Sequence, residues 1–172
     1  EQFLPGIRRA LILRIPPPYE FRDEEGEDGF QTHCVVFKNK SGDLYNSAKE
    51  AFSLLTKLDA NDTVAALNEA LQNVNENGFE RLDLINSVCW GFGAIVGYLS
   101  EQSNRTFVSN FLDYFISLFD QTSDSSLDEQ QQLQSRRTVG MGACFISVQA
   151  HKFLFRDDQL FTNIINWMLA LI

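Results

Sequence analysis

An all-α solenoid is the fold class this chain predicts, on three observations. Apolar residues recur at helical spacing through most of the sequence, and from residue 44 onward the pattern returns about every 45 to 50 residues, with two helices per unit. All connections but one are short, which makes successive helices antiparallel neighbours. Units of this kind, without strict identity between them, are the footprint of HEAT or armadillo-type repeats, in which each helix pair buries its apolar face only by stacking on the next. The expected organisation is a single segment over residues 1–172, about three and a half repeats of a larger superhelix. The stretch FTNIINWMLALI reaches Ile172 inside an apolar helix with no glycine cap or polar exit, which reads as a piece of a longer protein.

The spacing predicts helices over 2–15, 44–58, 61–75, 80–99, 104–121, 130–149 and 158–172. Candidate N-caps are Asp43, Asp59 or Asn61, Ser103 or Asn104, and Asp157 or Asp158. The segment 16–43 breaks the series. Three prolines end the first helix, and six carboxylates follow between residues 20 and 28: Glu20, Asp23, Glu24, Glu25, Glu27 and Asp28. The β-prone run QTHCVVF comes next, so this acidic insertion is expected to hold a small hairpin turning near Gly26 or Gly29. A loop of this length inside a helical array is either a solvated excursion or a switch or docking element.

Helix 104–121 carries apolar residues over an unusually wide arc. Phe107, Phe111, Tyr114 and Leu118 form one stripe; Val108, Leu112, Ile116 and Phe119 form a second beside it. Helix 158–172 is also wide, with Leu160, Phe161, Ile164, Ile165, Trp167, Met168, Leu171 and Ile172. In a solenoid every internal helix is sandwiched, so core packing accounts for part of such an arc. The two helices occupy equivalent places in consecutive repeats and are expected side by side, where spare stripes could form an apolar groove for an amphipathic peptide. Both readings stand at this level.

Composition narrows the function classes. The chain carries 15 Phe and a net charge of −9, from 14 Lys plus Arg against 23 Asp plus Glu. That balance argues against direct nucleic-acid contact and against anionic membrane surfaces, and suits a polar-apolar or basic peptide. The longest apolar stretch, residues 84–99, contains Asn, Ser and three Gly and is too short to span a bilayer, so no membrane span is expected. Cys34, Cys89 and Cys144 are odd in number and far apart, as free thiols in a reducing compartment are. Catalytic motifs are absent: no Walker loop, no GxSxG, no HExxH, no paired CxxC. His33 beside Cys34 lacks further ligands, and DEEGEDG lacks the spacing of a calcium loop, so neither a metal nor any cofactor is expected and the chain is read as a binding protein, not an enzyme.

Two short motifs resemble a known family. LTKLDANDT (55–63) is similar to the L-T-x-L-D-x-x-D-T stretch of the exportin-1 family, the importin-β-type nuclear export receptors for leucine-rich signals, and CWGFGAIVG (89–97) is similar to its C-W-x-x-G-x-I-x-G helix. FVSNFLDYFISLFDQ and QAHKFLFRDDQLFTNIINWM continue the resemblance in order. It implies a receptor that shuttles between nucleus and cytoplasm, with leucine-rich cargo proteins, Ran-GTP and nucleoporins as partners. Carried over by position, it implies a groove over 104–172 lined by Leu112, Ile116 and Phe119 from one helix and Leu160, Asn163, Ile164, Trp167 and Leu171 from the other, with Gly140 and Cys144 as its floor. It also implies that the acidic loop regulates groove opening in response to Ran-GTP. The resemblance places Phe119 where the family has a reactive groove cysteine, Trp167 where it has a lysine, and Ala170 where it has an acid. Resistance to thiol-reactive export inhibitors is therefore expected. The alternative is another importin-β-type receptor or a solenoid scaffold whose helices only pack on their neighbours.

Overall fold

A computed structural model describes residues 3–17, 19–25, 31–37, 39–124, 127–154 and 158–169. Eight α-helices and one hairpin are found among them: α1 (Leu4–Arg14), β1 (Tyr19–Glu25), β2 (Gln31–Phe37), α2 (Asn39–Leu58), α3 (Ala60–Asn77), α4 (Leu82–Ile95), α5 (Glu101–Asp124), α6 (Glu129–Gln149), α7 (His151–Leu154) and α8 (Asp158–Leu169). Single 3₁₀ turns flank α4, at Gly78–Arg81 and Val96–Tyr98. The helical architecture matches the expected all-α solenoid. One row runs α2 on α4 on α6, and α1 on α3 forms a second row beside it.

Helix ends follow local chemistry. Asp59 caps α3, its carboxylate accepting from the Asp62 N–H at 3.0 Å, and Asp128 caps α6 by accepting from the Gln131 N–H at 2.8 Å. Gly78 closes α3 with φ at 55°, the left-handed backbone that favours glycine. Two expected caps are corrected. Asp43 lies inside α2, which begins at Asn39 directly behind the hairpin, and Ser103 and Asn104 lie inside α5, whose first turn starts where the Asn104 N–H donates to the Ser100 carbonyl. Asp158 opens α8; Asp157 lies outside the described residues. The four-residue helix α7 was not anticipated, being too short to show a period.

The insertion holds the expected hairpin, and its turn lies outside the described residues. The strands are antiparallel with Tyr19 opposite Phe37 and Glu25 opposite Gln31. In this register Glu20, Asp23, Glu24 and Glu25 pair with Val36, His33, Thr32 and Gln31. Tyr19 anchors the base of the hairpin on α4. It is buried, its ring lies 5.2 Å from Trp90, and its hydroxyl donates to Asn86 Oδ1 at 3.4 Å.

Two kinds of contact join the helices. Between α1 and α3 the contact is partly ionic: Arg8, 2% exposed, donates to Asp62 at 2.7 Å and Arg9 to Glu69 at 2.7 Å, while Arg8 also donates to the Leu55 carbonyl of α2 at 2.8 Å. A buried guanidinium with these partners is costly to unpair. Between α4 and α6 the contact is apolar and close. Phe145 stacks 3.9 Å from Trp90 directly over Gly93, and Gly142 lies against the Cys89 thiol. An added Cβ at either glycine would collide, so both positions require the missing side chain.

Candidate functional site

The wide arc of α5 is largely core. Val108, Phe111, Leu112, Phe115, Leu118, Phe119 and Thr122 are buried, and Phe115 lies between the two stripes and merges them. Phe111 stacks on Phe92 of α4 at 3.9 Å, with Phe107 and Phe115 against the same ring at 5.8 and 5.2 Å. Ile116 and Tyr114 form the half-exposed edges of the arc. Tyr114 feels its burial: its hydroxyl is pushed up to about 12.

Each residue assigned to the groove has a distinct setting. On α5, Leu112 is fully buried, Phe119 is 8% exposed and Ile116 is half-buried. On α6, Gly140 is buried and Cys144 is half-buried. On α8, Ile164 is buried at 2% exposure and Asn163 is exposed. Leu160 and Trp167 take their places on α8, but their side chains, and Leu171 entirely, lie outside the described residues. The expected side-by-side packing of helices 104–121 and 158–172 is not among the substantial contacts of the described residues. Instead α5 packs on α6 and α7, and α8 on α7. The short helix α7 stands between α6 and α8 in the chain, and Phe161 and Ile165 are exposed on α8.

The thiols of this region are set by burial. Burial pushes the Cys144 thiol up, so it is not an activated nucleophile. Cys89, fully buried under Gly142, is pushed up further. Among the described residues no cluster of His, Cys, Asp and Glu is placed to hold a metal ion, and no helix is long and apolar enough to cross a membrane. Of the acidic residues, Glu24 is exposed on β1, and Glu20, Asp23 and Glu25 occupy the same strand. Glu27 and Asp28 lie outside the described residues.

Sequence reading missed the contacts that hold Phe119. Its ring lies against Gly140, 3.2 Å from the position a Cβ there would take. The Arg136 guanidinium sits 4.9 Å over the same ring, and Arg136 also donates to the Ser123 hydroxyl at 2.6 Å. A signal existed, since Arg136 and Gly140 are four apart and share one face of α6.

No protein-family model matches the chain. Curated relatives do, three of which carry one name. Those from Drosophila melanogaster and Schizosaccharomyces pombe are 29% and 25% identical over 119 and 118 residues, each covering 69% of this chain and 11% of the relative. That from Dictyostelium discoideum is 31% identical over 108 residues, covering 61% of this chain and 10% of the relative. The likeness is to exportin-1, partial and distant. The chain spans about a tenth of the length of the exportin-1 relatives it matches.

Proposed function

We propose that this chain is part of a nuclear export receptor and that its α5–α6–α8 surface binds leucine-rich export signals of cargo proteins. The observation that carries the reading is the exportin-1 relationship on a helical solenoid in which α5 ends its core-facing arc at a half-exposed Ile116, with the exposed Asn163 on α8. Hydrophobic anchors entering such a groove supply most of the affinity, each buried Leu or Phe contributing about 1.5 to 3 kcal/mol before ordering costs. The acidic net charge favours signals with basic or neutral flanks. Nucleoporin contacts and shuttling between nucleus and cytoplasm belong to the same proposal.

Coupling to Ran-GTP is proposed to run through the hairpin. Tyr19 at the base of β1 touches Trp90, and Trp90 touches Phe145 of α6, the helix that carries Gly140 and Cys144. A shift of the hairpin thus has a packed route to the groove floor, and a partner that holds the hairpin in one position biases the groove by its differential affinity for the two states.

A second reading is supported by Leu112 and Phe119, which are buried rather than open. In that reading the surface is a solenoid scaffold and takes no peptide. Fluorescence anisotropy with a labelled leucine-rich export peptide separates the two. The export reading expects saturable binding, lost in Ile116→Asp and Asn163→Lys and retained in Ile165→Asp, whose side chain leaves α8 on a different face. The scaffold reading expects no saturable binding. A further check on position uses Phe119→Cys: this variant should acquire an adduct from a thiol-reactive export inhibitor at residue 119.

A further inference from the structure

We propose that the cleft between the Gly78–Arg81 turn and the first half of α6 is a second binding site, one that takes an arginine side chain from a basic segment of a partner protein. It is independent of the groove proposed above, since none of its lining residues belongs to that groove. The cleft has a volume of about 360 Å³, at the small end of the range for ligand sites, and lies between the N-terminal ends of α4 and α6. The seam that Gly93 and Gly142 close further along is open here. Its apolar walls are Phe79, Leu82 and Leu127, all half-buried, and Phe79 and Leu82 pack against the core behind them. Between these walls stand the polar side chains of Glu80, Asp83, Gln131, Gln134 and Ser135.

The lining carries hydrogen-bonding groups that the fold leaves unused. Ser135 is 1% exposed and lines the cleft, yet its hydroxyl has no hydrogen-bond partner among the described residues. A hydroxyl buried this deeply is ordinarily satisfied, so its free state points to a ligand group. The Glu80 carboxylate likewise has neither a hydrogen bond nor an ion pair among the described residues. Asp83 shows what such a carboxylate holds: both of its oxygens accept from Arg81, at 2.9 and 2.8 Å, which commits Arg81 and leaves Glu80 without a cation. Among the described residues no basic side chain lines the cleft. Two helix N-termini open near it and by themselves favour an anion, but Asp83 in the first turn of α4 and Asp128 at the cap of α6 offset them. What remains is a carboxylate, two side-chain amides and a hydroxyl, all able to accept, beside apolar walls. An arginine suits this set, because its five N–H donors meet several acceptors at once while its methylene stem and planar head suit Leu82 and Phe79. An acidic side chain is repelled by Glu80, and an apolar one leaves the acceptors unpaired.

The test is a titration of the isotopically labelled full chain with a blocked Gly-Ser-Arg-Ser-Gly peptide, followed residue by residue in amide NMR spectra. Peptides with lysine, glutamate or citrulline, the neutral isostere of arginine, in place of the arginine are run beside it. The expected result is saturable shifts confined to residues 79–83 and 127–135, with a Kd of about a millimolar, and at least about tenfold weaker binding of the citrulline and glutamate peptides. Lysine, a point charge without the planar fork, should bind about threefold more weakly than arginine. Glu80→Gln should weaken arginine binding about tenfold and Ser135→Ala about threefold. Glu50→Gln, which removes an exposed carboxylate on α2 outside the cleft, should leave binding unchanged, and thermal melts establish that each variant is folded. Shifts spread over the acidic surface, equal loss in Glu80→Gln and Glu50→Gln, or lysine or citrulline binding as tightly as arginine overturns the site. So does the absence of saturable shifts across the titration. None of these outcomes bears on the export-signal groove, whose residues lie elsewhere on α5, α6 and α8.

Discussion

Helix α6 uses glycine on both of its flanks, with opposite consequences. Toward α4, Gly142 receives the buried Cys89 thiol, while Phe145 reaches across to cover Gly93 on the partner helix. Toward α5, Gly140 receives the edge of Phe119. The first seam is sealed by Trp90, Tyr19 and Tyr45, whose rings close on one another at 5.2 Å. The second has the Arg136 guanidinium over the Phe119 ring and ends at half-exposed Ile116 and Cys144. In the first, close approach leaves nothing for a ligand to displace. In the second, the packed arc reaches the surface at Ile116.

The comparison is broken most severely at Gly93. Gly93→Ala drives a methyl group into the Phe145 ring, which must shift against its contact with Trp90, and this should cost about 2 to 3 kcal/mol, a drop of roughly 5 to 10 °C in thermal midpoint. Gly142→Ala should cost about 1 to 2 kcal/mol through its clash with Cys89. The double variant Cys89→Ala with Gly142→Ala should recover much of that loss in urea denaturation, because the colliding sulfur is gone.

Next in size is the response to pH. Burial raises the folded-state value of Cys89 above the ordinary 9.0 of a thiol and that of Tyr19 from 10.0 to about 12. For groups raised on folding, the stability they contribute is fully present below the unfolded-state value and is lost as pH rises through the folded one. The urea midpoint should therefore be flat from pH 7 to about 9 and fall above it. Cys89→Ala should flatten the first part of that fall and leave the tyrosine part, above about pH 10, in place. The smallest effect belongs to the open flank: Gly140→Ala meets only the edge of a ring that can shift by tenths of an ångström, and should cost less than about 1 kcal/mol.

Much of the architecture was legible because helical period and short connections are properties of local sequence. The helices at 61–75 and 130–149 emerged at Ala60–Asn77 and Glu129–Gln149, and of the two cap candidates Asp59 and Asn61 it is Asp59 that caps the first of them. The hairpin was legible from QTHCVVF and the glycines before it. Asp43 misled because a good cap residue does not oblige a helix to start there: α2 follows the hairpin so closely that its first turn forms earlier. For the site, position along a helix could be read but depth could not. Leu112, Ile116 and Phe119 share a stripe, yet one is fully buried, one half-exposed and one roofed by a cation, because depth depends on which side chains of α6 stand opposite. The glycine requirement at 93 and 142 was hidden for the same reason, since it arises from the crossing of two helices.

The central claim is that the open flank of α6, and not the sealed one, receives a leucine-rich peptide. Hydrogen–deuterium exchange of the full chain with and without a saturating export peptide tests this directly. The account predicts slowed exchange in α5 around residues 112–119 and in α8 around residues 160–167, with the α4 half of the α4–α6 seam unchanged. Protection confined to other helices, or an exchange pattern that the peptide leaves unaltered, would contradict it.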